Sequence, residues 1–103
     1  MAKTFQLQPK PTFKVNVAIP RAGDEDGVIT FTFLHKPLKE LAAIESMEGK
    51  NAVEFLMEII EAWALPDVFG RENLETLLDN YPRALEAITR HYYNELMGNR
   101  QKN

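Results

Sequence analysis

The sequence predicts an α+β fold: an N-terminal antiparallel β-hairpin packed on a bundle of about four α-helices. Three observations predict it. Between Phe13 and Lys36 apolar and polar residues alternate in two runs separated by a glycine-containing turn, the period of half-buried strands. From Pro37 to Leu96 apolar residues instead recur every three or four positions, the period of helices. The chain has 103 residues, which is the length of one domain. The expected organisation is an arm over residues 1–12, a single domain over 13–97 and a flexible tail over 98–103.

The elements follow in chain order. Pro9 and Pro11 interrupt any ladder in the arm, while Phe5 and Leu7 alternate with Gln6 and Gln8, so this stretch is available as a short third, edge strand. Phe13, Val15, Val17 and Ile19 then share one face of a strand that Pro20 is expected to end. The segment RAGDEDG supplies the turn. In VITFTFLHK, Ile29, Phe31 and Phe33 point one way and Thr30 and Thr32 the other. The connection is too short for a parallel crossover, so the two strands pair antiparallel. A two-stranded hairpin alone is marginal in water, so its Phe-rich face needs a cover.

Four helices are expected to supply it. Pro37 opens the first, with Leu38, Leu41, Ile44 and Met47 inward and Gly49 at its end. Asn51 is a fair N-cap for the second, which is expected to run from residue 52 to about Trp63. The third begins near Arg71 and places Leu74, Leu77, Leu78 and Tyr81 on one side. Pro82 opens the fourth, whose stripe is Leu85, Ile88, Tyr92 and Leu96.

The second helix carries the main question. Eleven of the fourteen residues in AVEFLMEIIEAWAL, residues 52–65, are apolar, and the exceptions are Glu54, Glu58 and Glu61. On a helix those glutamates fall in a stripe roughly 60° wide. Phe55, Met57, Ile60 and Trp63 lie outside it and need covering, by the fold's own core or by another chain. WALPDVF admits two readings. It is a helix connector in which Trp63 and Phe69 plug one core while Asp67 caps a turn, or it is the rim of a groove.

Charge divides along the chain. Residues 1–39 carry six Lys/Arg against three Asp/Glu, residues 40–80 two against ten, and residues 81–103 four against two. The acidic middle repels phosphate and disfavours nucleic acid, but it suits a basic protein. No cysteine is present, so there is neither disulfide nor thiolate chemistry, in keeping with a reducing cytoplasm. A secretory leader is not expected after MAKTFQLQPKP. The run at 52–65 is too short for a bilayer, so no membrane is expected.

Catalytic patterns are missing where they would be legible. Ser46, the one serine, sits inside a predicted helix with no nucleophile turn around it. His35 and His91 stand far apart with no cysteine between them, a poor zinc signal. Aligning Asp24, Glu25, Asp26 and Gly27 with a calcium loop would put Ala22 and Phe33 at ligand positions, so these acids read as a solvated turn. The three glutamates read as a wet face rather than as an acid–base pair, which needs a buried or crowded carboxylate. No glycine loop cradles phosphate. No enzyme, no cofactor and no metal are expected.

The segment WALPDVFGRENLETLLDNYP, residues 63–82, resembles the tail assembly chaperones of long-tailed, lambda-like bacteriophages. A tryptophan closes an apolar helix, Leu, Asp and Phe follow at alternate positions, and E-N-x-x-x-L-L-x-x-Y-P comes next. F-x-L-x-P-x-P-T-F near the start and FTFLHKPLKEL after the hairpin agree, so the similarity covers residues 4–96. It implies a non-catalytic protein that keeps the tape-measure protein soluble while tail-tube subunits polymerise, and that self-associates. It also implies a longer frameshifted form that recruits the tail-tube protein. Such a protein works in the cytoplasm of the bacterial host and is absent from the mature virion. Phe55, Met57, Ile60, Trp63 and Phe69 would then meet the client's apolar side chains, and Glu54, Glu58 and Glu61 its basic ones. A structural tail-completion or neck component of the virion is the alternative, and a small bacterial regulator a third reading.

Overall fold

A computed structural model describes residues 4–46 and 51–98. The elements are β1 (Thr12–Arg21), β2 (Asp24–Leu34), α1 (Leu38–Ser46), α2 (Ala52–Ile59), β3 (Ile60–Trp63), α3 (Arg71–Asn80) and α4 (Ala84–Leu96). The class is α+β as expected, with one antiparallel sheet in the order β1-β2-β3.

The hairpin forms because the period-2 pattern of its two runs matches in register. Val17 pairs with Ile29, Val15 with Phe31 and Phe13 with Phe33, so apolar faces apolar on the inner side. Val17, Ile19, Ile29, Phe31 and Phe33 are buried there, while Lys14, Asn16 and Val28 on the other face are exposed. Thr30 Oγ1 donates to Asn16 Oδ1 at 2.6 Å across that open face.

Both strands are longer than the sequence suggested. Pro20 does not end β1, and the turn shrinks to Ala22 and Gly23 between the paired residues Arg21 and Asp24. The register explains the proline. The amide of His35 donates to Pro11 O at 2.8 Å, so odd residues of β2 face β1 and their odd partners in β1 face back. Pro20 falls at the register shift between Ile19 and Arg21 and has no partner in β2, so its missing N–H costs no ladder bond. Gly23 takes φ 71, the left-handed conformation that a two-residue turn requires here and that side chains disfavour.

The second helix departs most from expectation. It stops at Ile59, and Ile60, at φ −105 and ψ 129, starts a strand. β3 lies antiparallel on β2, with Phe31 opposite Trp63, Thr32 opposite Ala62 and Phe33 opposite Ile60. The third strand therefore comes from residues 60–63. Thr4–Pro11 form no strand, and Phe5 and Leu7 stand 86% and 89% exposed.

The helices cover the sheet's Phe face. Leu41, Leu56, Ile59, Leu74, Leu77 and Ile88 join the hairpin residues in one buried cluster. Tyr92 of α4 is fully buried and stacks on Phe13 with centroids 5.7 Å apart. Its hydroxyl donates to Leu34 O at 3.0 Å. α4 starts at Ala84 rather than Pro82, and Ala84 and Ala87 share its buried face with Ile88 and Tyr92, while Leu85 and Leu96 are half-buried. The Asn51 cap is a full capping box: Glu54 N donates to Asn51 Oδ1 at 2.9 Å and Asn51 N to Glu54 Oε1 at 3.2 Å. Met47, Gly49 and residues 99–103 lie outside the described residues.

Candidate partner-binding site

β3 is four residues long against eleven in β2, and that mismatch makes the site. The last link between them is Ala64 N donating to Thr30 O at 2.9 Å. The chain then turns away through Leu65 and Pro66, which has no donor to continue a ladder. Beside the uncovered part of β2 lies a cleft of about 420 Å³. Ile19 and Ile29 form its sheet wall, Trp63 and Leu65 its connector wall, and Leu77 and Tyr81 its helical wall. Arg21, Asp67, Asn73 and Asn80 stand at polar positions around it. Its size is that of sites taking small ligands or a few side chains.

The connector is fastened at several points. Trp63 lies edge-on to Phe31 at 6.3 Å and edge-on to Phe69 at 5.1 Å. The indole Nε1–H donates to Asp67 O at 2.7 Å, and Asn73 Nδ2 donates to Val68 O at 2.6 Å. The connector reading of WALPDVF thus holds for Trp63 and Phe69, which pack on each other. Asp67 contributes its backbone carbonyl. The same packing leaves Trp63 on the cleft wall and Val68 79% exposed.

The other expected site residues scatter. Ile60 is 3% exposed and belongs to the core; the strand conversion turns it inward opposite Phe33, so it cannot face a partner. Phe55 stacks on Tyr93 of α4 at 6.4 Å. Met57 is half-buried against the core. Glu54 closes the capping box, Glu58 is half-buried on α2, and Glu61 is exposed on β3. The single glutamate stripe does not exist, because the helix that would align all three ends before Glu61. Ile19, Ile29, Leu77 and Tyr81 are cleft residues that the sequence marked only as core stripes.

Elsewhere the polar groups have structural partners. Ser46 Oγ donates to Ala43 O at 3.2 Å. His91 Nδ1 lies 2.7 Å from Ala87 O, one turn back on its own helix, and His35 lies edge-on to Phe13 at 6.3 Å. Burial pushes the Tyr92 hydroxyl up to about 12, against a weaker opposing backbone hydrogen bond at Lys36. Burial and then the hydrogen bond to Glu45 raise Tyr93 as well. Among the described residues no group of three or more His, Asp or Glu side chains is placed to hold a metal ion, and no helix is long and apolar enough to cross a membrane.

Fold and cleft together define a small α+β domain that offers apolar side-chain pockets at an open sheet edge. The phage tail assembly chaperone family matches residues 1–103, and the chain belongs to that family. A tail assembly chaperone acts in the host cell while tails are being built, and its partners are proteins of that assembly. No curated protein and no solved structure matches the chain.

Proposed function

We propose that this chain binds and solubilises the tape-measure protein during tail morphogenesis, without catalysis, and that it self-associates. The observation that carries the reading is the apolar cleft, in a member of the tail assembly chaperone family. Trp63, Leu65, Tyr81 and the neighbouring Phe69 offer wide apolar walls for side chains on one face of an amphipathic helix. Trp and Tyr suit such a site, since each combines large apolar area with a polar tip. Asp67, exposed at the cleft's rim, and Glu61, exposed on β3, favour a client with basic residues. Of the other residues expected at the interface, Phe55 and Met57 serve α2 packing, and Glu54 and Glu58 provide acidic character on α2.

The setting that goes with this function is the bacterial cytoplasm, with the chain left out of the finished virion. A longer frameshifted form is the proposed link to the tail-tube protein. Co-expression of the tagged chain with the tape-measure protein of the same phage tests the reading. Soluble co-purification is expected, reduced by Tyr81→Ala with the circular dichroism spectrum unchanged. A tape-measure protein that stays insoluble, or mass spectrometry that finds the chain in mature virions, would overturn it in favour of a structural tail component.

A further inference from the structure

The open edge of β2 is a strand-sized vacancy. Ala64 N reaches Thr30 O, so the even residues of β2 turn their backbone groups toward β3. Beyond Thr30 the sheet order leaves Asp26 and Val28 with no described strand on that side. A strand added there would continue the line that β3 leaves at Leu65. Its alternate side chains would enter the cleft beside Ile29 and Ile19.

This chain carries a segment of matching pattern. Phe5 and Leu7 occupy alternate positions and are 86% and 89% exposed, two large apolar side chains without cover. The arm cannot easily serve its own cleft. It leaves the sheet at Thr12, paired with Leu34 and preceded by the Pro11–His35 hydrogen bond. The cleft lies at the other end of the hairpin, near Ile19 and Gly27. Seven residues of strand separate the two, roughly 23 Å, and Phe5, itself seven residues before Thr12, would reach its own cleft only with the arm fully extended back along the whole hairpin.

Charge is complementary as well. The arm, residues 4–11, carries Lys10 and no Asp or Glu, whereas β2 begins Asp24-Glu25-Asp26, of which only Asp24 is paired with Arg21. With the arm running on from Leu65 in the direction of β3, Phe5 lies beside Leu65, Leu7 follows along β2, and Lys10 comes toward that acidic turn.

We propose that residues 4–8 of a second copy of this chain add as a fourth strand to the open edge of β2 and fill the cleft with Phe5 and Leu7. The contact deepens the self-association in the function proposed above and rests on it. Because arm and client share one cleft, they compete, and client loading displaces a neighbour's arm.

Sedimentation velocity on the full chain and on the double variant Phe5→Ser/Leu7→Ser tests the contact. Removing two apolar anchors is expected to weaken association by about a hundredfold or more, with the spectrum of the folded chain retained because both residues are exposed. Val28→Pro, which blocks the open edge, is expected to do the same, while Ala18→Pro on the far edge of β1 is expected to leave association intact. The chain lacks cysteine, so Phe5→Cys on one tagged copy and Leu65→Cys on a differently tagged copy give a direct readout. A disulfide between the copies is expected under mild oxidation. Association that survives the arm variant, or that is lost with Ala18→Pro but not Val28→Pro, would overturn the contact. So would a missing cross-link. Client capture separates the two proposals: the arm variant is expected to keep or strengthen it. A chain that associates through its arm yet captures no tape-measure protein would leave the contact standing and sink the proposed client.

Discussion

Replacing Tyr92 with Phe isolates one buried hydroxyl, and its effect should change with pH. The ring stays, with its contacts to Phe13 at 5.7 Å and Phe33 at 5.0 Å. The variant loses the hydrogen bond to Leu34 O, leaving a half-buried carbonyl without that partner, at a cost of about 1–2 kcal/mol near neutral pH. For a domain of this size that lowers Tm by about 5–10 °C. In the unfolded chain the phenol ionises near 10, in the fold only at about 12. The native state therefore keeps a proton that the unfolded state has released. The stability tied to this group is complete below pH 10 and is lost as the pH climbs toward 12. At pH 11 the loss is about 1.4 kcal/mol for the natural chain and absent for the Phe variant. Urea unfolding followed by circular dichroism at pH 7 and pH 11 reads both terms. The gap between the two proteins should nearly close at the higher pH, with Tyr81 cancelling in the comparison and Tyr93 losing only the smallest of its upward contributions, the charge of Tyr92. An equal gap at both pH values would refute the assignment of Tyr92 as a proton-holding core residue.

Three further substitutions test separate parts of the fold. Phe31→Asp puts a carboxylate at a fully buried position between Phe33 and Trp63, at a cost of about 4 kcal/mol or more. Loss of the folded far-ultraviolet spectrum at 25 °C is expected, and a folded variant would contradict the sheet's inward face. Asn51→Ala removes the capping box of α2 and should cost about 1 kcal/mol, read as a lower urea midpoint with an unchanged slope. Gly23→Ala forces a side chain into φ 71 and should cost about 1–2 kcal/mol, although nothing within 4 Å of the new methyl group would clash.

What the sequence made legible was whatever a local rule could decide. Alternation around Phe31 and Phe33 needs no knowledge of the helices, and neither does the Asn51 cap or the Leu74–Leu77 spacing of α3. Pro20 misled because a proline in a strand is judged by whether its nitrogen has a ladder partner, and that depends on the register with β2. Residues 60–63 misled for a stronger reason. Run on as a helix, they continue the apolar face of α2, and a short apolar run carries no period that separates helix from strand. At the site, Trp63 and Phe69 were legible as a pair from their spacing around Leu-Pro. Ile19, Ile29, Leu77 and Tyr81 were not legible as its partners, because four segments distant in sequence converge on the cleft only after folding.

The conversion at Ile60 has a physical preference behind it. One more turn of α2 would add little, since helix propagation is nearly neutral per residue in water. It would also leave the outer edge of β2 at Phe31 and Phe33 without a neighbour. As a strand, Ile60 and Trp63 become cross-strand partners of those two phenylalanines, each pair worth about 0.2–1 kcal/mol. Ile60 also becomes buried, worth about 1.5–3 kcal/mol. The sheet wins that comparison for as long as there are apolar partners on β2 to meet. Past Thr30 the register next reaches Ile29 and then the acidic turn Asp24-Glu25-Asp26. Pro66 removes the donor needed to go further. The strand that rescues the hairpin from being two-stranded is thus too short to close the sheet, and the cleft follows from that shortfall.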